Sequence, residues 1–130
     1  MPEKNVLGGD LEMCGVDPVT GWFRDGRCET APTDVGSHTI CAVVSDEFLQ
    51  HQKMIGNDLM TPMPMHQFPG LKAGDRWCVT ARNWLRAYRD GVAAAVVLSA
   101  THERALQIVP LDALQEHAVD VPDDPSQLLA

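Results

Sequence analysis

Residues 39–44, Thr39-Ile40-Cys41-Ala42-Val43-Val44, are almost uniformly apolar, so neither face of an extended chain there is suited to water. The pattern predicts a central strand buried on both sides. Ser45 then precedes Asp46 and Glu47, and Phe48, Leu49, Gln52 and Ile55 fall on one side at helical spacing. This predicts a helix capped by a hydroxyl, with acidic residues at its positive end and Gly56 as its stop. Over residues 76–80 the period changes to two, with Trp77 and Val79 on one face and Cys78 on the other, which predicts a strand. Ala81, Trp84, Leu85 and Tyr88 return to helical spacing, and Gly91 supplies a left-handed end. A second apolar strand is expected over residues 94–98. Thr101 is placed to cap a short helical turn over 102–106, and a last helix is expected over 111–118 with Leu111 and Leu114 inward.

The remaining segments are punctuated by turn formers. Asp25-Gly26 lies between Trp22-Phe23-Arg24 and Arg27-Cys28-Glu29, a short-hairpin signal because Asp-Gly tolerates the positive φ angles of a tight turn. Residues 57–74 hold Pro62, Pro64, Pro69, Gly70 and Gly74, too many ladder and helix breakers for regular structure. Long loops of this kind are often functional, and this one is expected to cover one edge and help form the main pocket. Strands and helices mix without strict βαβ alternation. The fold class expected is therefore α+β: a small mixed sheet, two to three packed helices and a long Pro/Gly-rich loop. One domain is expected over residues 1–130, with its core at about 5–119 and an acidic tail over 120–130.

Composition fits a globular chain, with 45% of residues apolar and 22% charged. Ten Lys and Arg against 18 Asp and Glu give a net charge of −8, a field that repels phosphate backbones and anionic lipid surfaces. Neither nucleic acid nor membrane is an expected partner. The start, Met1-Pro2-Glu3-Lys4-Asn5, lacks the basic and apolar regions of a secretory leader. A cytoplasmic, reducing setting is expected from that, with Cys14, Cys28, Cys41 and Cys78 as free thiols or metal ligands.

The run Gly56-Asn57-Asp58-Leu59, Thr61-Pro62, Pro64, Phe68-Pro69-Gly70-Leu71 and Gly74-Asp75-Arg76-Trp77-Cys78 resembles the signature of the bacterial domain family of unknown function 2237. Further matching blocks are Asn5-Val6-Leu7-Gly8, Thr20-Gly21, Arg24-Asp25-Gly26, His38-Thr39-Ile40-Cys41-Ala42, Arg82 with Trp84, and Ala100-Thr101-His102-Glu103. The resemblance covers nearly the whole chain and implies a stand-alone cytoplasmic domain with no assigned activity. Where the family pattern has Asp-Gly-Cys-Cys this chain reads Asp25-Gly26-Arg27-Cys28, and where it has Trp-Cys-Leu-Cys this chain reads Trp77-Cys78-Val79-Thr80. Chemistry needing all six thiols is thereby put in doubt.

The candidate catalytic set is His38, Asp58, Cys78 and His102, in which a cysteine would be activated by an imidazole and Asp58 would orient that imidazole. Arg24 and Arg76 are the candidate ligand-binding residues, because a guanidinium fork suits carboxylate or phosphate; the partner expected is a small anionic molecule. The competing reading gives each residue a purely local role, with Asp58 bracing its turn, His102 bonding nearby backbone, and Arg24 and Arg76 pairing with Asp25 and Asp75. No metal site is assigned, since no Cys-x-x-Cys knuckle is present and His38 and Cys41 would point to opposite faces of a strand. The cofactor is left unassigned. Three functional classes stand: a small enzyme or anion-binding protein with a Cys/His/Asp/Arg pocket, a protein-binding module using the Pro/Met-rich loop, and a structural zinc protein.

Overall fold

The computed structural model describes residues 3–120. At its centre lies β1 (Ile40–Val43), flanked by β2 (Arg76–Val79) and β3 (Ala95–Val96) in the order β2-β1-β3. Both pairings are antiparallel, with Cys41 opposite Cys78 and Ala42 opposite both Trp77 and Val96. Among the described residues parallel contact is confined to an isolated bridge between Val96 and Ala118. Three helices complete the α+β architecture: α1 (Asp46–Met54), α2 (Ala81–Arg89) and α3 (Leu111–Glu116).

Strand alternation divides the interior in two. Ile40, Ala42, Trp77, Val79 and Val96 face the helices and join Phe48, Leu49, Trp84 and Leu114 in the larger core. Cys41 and Cys78 face the other way and meet Cys14, Cys28, Val97 and Ala100 in a smaller one. The apolar run around β1 therefore reflects burial on both faces, as expected of a strand with no wet side. What covers the second face is the irregular first third of the chain. It is fixed there by disulfides Cys14–Cys41 and Cys28–Cys78, spanning 27 and 50 residues of sequence. Free thiols or metal ligands were expected; instead all four cysteines are paired, and among the described residues none is free.

Local capping sets the helix starts. The Ser45 hydroxyl accepts from Phe48 N–H, and the Thr80 hydroxyl accepts from Asn83 N–H, so each satisfies a donor that the first turn leaves unpaired. Buried His51 ties α1 to the end of α2 through Nε2 and the Asp90 carboxylate, 2.7 Å apart. Trp84 is fully buried and donates its indole N–H to Ala94 C=O, joining α2 to the approach to β3. In the long loop Phe68 and Leu71 turn inward, Phe68 packing on Trp77 at 5.1 Å between ring centroids. Gly70 makes this turn possible: at φ +82° a Cβ there would sit 2.3 Å from Met60 C=O.

Four further expectations change. Residues 21–27 form successive turns and bends, not a hairpin: Gly26 N–H bonds to Thr20 C=O while the Gly26 carbonyl accepts from Cys14 and Gly15, so the segment pairs outward with residues 14–15. The strand expected over 94–98 is only Ala95–Val96, because Leu98–Ala100 closes into a 3-10 turn. His102, not Thr101, caps the turn Glu103–Gln107; Thr101 instead uses its hydroxyl to accept from Cys41 N–H and donate to Val97 C=O. Asp120 is no solvated tail residue, since its carboxylate accepts from Leu98 and Ser99 N–H; the rest of the expected acidic tail lies outside the described residues. Among the described residues no helix is long and apolar enough to cross a membrane.

Trp84→Ala removes the largest fully buried side chain and its indole donor, and is expected to cost about 3–5 kcal/mol in urea unfolding. A loss below about 1 kcal/mol would mean that α2 is not anchored through this residue.

Candidate functional site

The outer edge of β2, buried from Trp77 to Val79, has to satisfy its outward N–H groups. Buried Thr20 does this for Cys78, its hydroxyl accepting from the Cys78 N–H at 2.7 Å. The chain then turns at Gly21, where φ is +104° and a Cβ would lie 2.3 Å from Arg27 C=O. Arg24 follows in a left-handed conformation, φ 55°, which is uncommon for any residue with a Cβ and costs of order 1–3 kcal/mol. The turn carries the Arg24 guanidinium over the Trp77 ring, 4.9 Å from its centroid. Among the described residues no carboxylate pairs with Arg24; the one hydrogen bond of its guanidinium there is a long one, 3.4 Å, to Val19 C=O.

A second turn brings an imidazole to the same place. Asp34 is buried, with its side chain wholly removed from solvent, and it accepts from Thr30 Oγ1, from His38 N–H and from His38 Nδ1 at 2.7 Å. Gly36 lets this turn close against α2, because a Cβ there would stand 2.8 Å from the Thr80 methyl. Burial by itself opposes ionisation of Asp34. The His38 ring and backbone N–H groups, the His38 charge and the Thr30 hydroxyl outweigh it, so the carboxyl is held below its ordinary value. With Asp34 ionised, Nδ1 carries the shared proton and Nε2 is the ring nitrogen left to act. The imidazole is about a third exposed, 34%, and lies 5.5 Å from the Trp22 ring.

Gly21, Trp22, Arg24, His38, Trp77 and Cys78 line one cavity of about 220 Å³. It combines two indoles, a guanidinium without a carboxylate partner among the described residues, an imidazole braced by a sealed carboxylate, and, in its wall, Cys78, which is bonded to Cys28. A larger depression of about 480 Å³ is walled by Glu3, Asp10, Glu12 and Glu29 around Arg27, whose guanidinium is already bonded to Leu11 C=O. Its negative lining suits an anion less well.

Of the six residues singled out from the sequence, the fold brings His38, Cys78 and Arg24 together and places the other three elsewhere. Asp58 is exposed and accepts from the N–H groups of Met60 and Thr61; the Thr61 hydroxyl, foremost, holds its carboxyl below the usual range. His102 is buried at the N-terminal segment: Nδ1 accepts from Arg104 N–H, so Nε2 is the donor toward Glu3, 3.1 Å away. Arg76 is exposed at the start of β2. Asp75 pairs with Lys72, not with Arg76. Cys78 itself is not a thiol but half of a disulfide, and the same is true of each neighbouring sulfur. The Cys14, Cys28 and Cys78 sulfurs lie within 4.8 Å of one another, yet while paired they offer a metal no thiolate. The residues overlooked in the sequence are Asp34, Trp22 and Trp77. A carboxylate four residues before a histidine was the available signal for Asp34, but in an irregular segment that spacing has no fixed geometry.

The family model describing an uncharacterized protein conserved in bacteria matches residues 4–118. No curated protein matches the chain.

Because Asp34 is held below its ordinary pKa, its stabilising contribution is complete above about pH 4, the unfolded carboxyl value. It is lost as the pH falls through the lower folded value. Asp34→Asn is expected to lower stability at neutral pH and to flatten the acid limb of a plot of urea midpoint against pH. An acid limb unchanged from the parent would assign that limb to other carboxylates.

Proposed function

We propose a small-anion site with a built-in proton acceptor for this chain, which belongs to the bacterial family DUF2237. The observation that carries the proposal is the convergence, in one cavity, of the Asp34-braced His38 and the Arg24 guanidinium, which no carboxylate occupies among the described residues. Arg24 is held against the Trp77 face, which limits its freedom before any ligand arrives, so less ordering entropy opposes binding. A carboxylate or phosphate on the ligand meets the guanidinium edge, and the indole of Trp22 offers a flat apolar wall to the ligand body.

His38 is the group suited to move a proton. Its Nδ1–H is committed to Asp34, which fixes the tautomer and stabilises the positive charge that forms when Nε2 accepts a proton. The same division of labour, in which one group reacts and a second orients it, recurs wherever imidazole serves as general base. Binding therefore rests chiefly on Arg24 and turnover on His38.

Inorganic phosphate and simple carboxylates are expected to perturb the fluorescence of Trp22 and Trp77 in a saturable manner, with dissociation constants of about 1 mM or tighter. Arg24→Ala is expected to weaken that binding about tenfold, while His38→Gln retains it. No saturable change with any of these anions, or an unaltered response in Arg24→Ala, would remove the basis for the site.

A further inference from the structure

Two disulfides lie side by side, one of them through a residue that lines the cavity. Cys78 contributes to its wall, and the sulfurs of both Cys28 and Cys78 stand within 4.8 Å of the Cys14 sulfur, which is itself bonded to Cys41. Opening the first disulfide thus generates a thiolate next to the second. The surroundings are apolar, with Val97, Ala100 and Val43 packed around the sulfurs. The N–H groups of Cys41 and Cys78 are committed to the Thr101 and Thr20 hydroxyls. Four thiolates on one metal would place net negative charge in this apolar shell without those two donors, whereas exchange among disulfides keeps the charge to one thiolate at a time.

We propose that the protein oxidises small thiols that carry a carboxylate, passing the electrons from the cavity disulfide Cys28–Cys78 to the inner disulfide Cys14–Cys41. The substrate class rests on the anion-site reading, with Arg24 holding the carboxylate and His38 Nε2 taking the thiol proton. The substrate thiolate attacks Cys78 Sγ; a mixed disulfide forms and the Cys28–Cys78 bond breaks, leaving the electron pair on Cys28. The Cys28 thiolate attacks Cys14 Sγ, forming Cys14–Cys28 and releasing Cys41. A second substrate thiolate attacks the substrate sulfur of the mixed disulfide, giving the oxidised substrate dimer and releasing Cys78. Two thiols are oxidised to one disulfide, one protein disulfide is reduced, and the two protons end on Cys41 and Cys78. Proximity of the second pair makes the first step harder to reverse, because the Cys28 leaving group is withdrawn into a new bond.

The test uses the full oxidised chain with N-acetylcysteine, cysteamine and 2-mercaptoethanol, quenched in acid at intervals, alkylated and mapped by mass spectrometry. Rates are compared per thiolate. The expected result is an adduct on Cys78, then a Cys14–Cys28 linkage with Cys41 alkylated, and about a tenfold preference for N-acetylcysteine over cysteamine that Arg24→Ala abolishes. In the Cys14→Ala/Cys41→Ala double variant the electrons have nowhere further to go, so Cys28 is expected to be alkylated beside the Cys78 adduct. Mapping the unaltered chain decides the matter even if that variant does not fold. Acetate binding that depends on Arg24, with no Cys78 adduct, overturns the thiol chemistry and leaves the anion site standing. Adducts formed equally fast with all three thiols, with no acetate binding, overturn the anion site and with it the substrate class. Independent reduction of the two disulfides with no Cys14–Cys28 linkage, or stoichiometric zinc held by the reduced chain, overturns the electron transfer between them.

Discussion

The arrangement depends on how the second face of a very short sheet is kept from water. β1 has only four residues and β3 only two, so hydrogen bonding along the ladder supplies little by itself. Alternation gives one face to the helices. Nothing regular is left for the other, and the chain uses its irregular first third there, bonding it covalently to β1 through Cys41 and to β2 through Cys78. Each bond closes a long loop of sequence, the circumstance in which a cross-link most restricts the unfolded chain.

The cavity follows from that covering. Because residues 20–24 must satisfy the outward edge of β2, they pass close over Cys78 and Trp77, and the bend at Gly21 leaves Arg24 stacked on an indole. The turn over residues 34–38 is braced from the other side by α2, through Gly36 against Thr80 and the Ala81 N–H donated to Ser37 C=O. Structural necessity and candidate chemistry thus share the same residues: Cys78, through which the first third is fastened to β2, also lines the cavity.

Which side chains share the cavity could be read only in part from the sequence. His38, Arg24 and Cys78 were singled out because their residue types suit chemistry and they lie in distinctive short blocks, and all three line it. Asp58 and His102 have equally suggestive neighbours, yet each is occupied with backbone N–H groups of its own turn. Asp34, the partner that gives His38 a defined tautomer, carried no decisive signal. Its contact depends on a left-handed Ser37, φ 64°, in a segment without periodicity.

The sequence by itself determined the α+β class, the positions of the principal strands and helices, and the cap at Ser45, because hydrophobic period and capping are local properties that act within a few residues. It did not determine which cysteines are joined: Cα separations of 5.6 Å and 5.3 Å exist only once the first third lies on the sheet. Nor did it determine that Arg24, His38 and Cys78 share a cavity. Those contacts join residues far apart in the chain, and they come from the packing of an irregular segment whose path is set by what it covers.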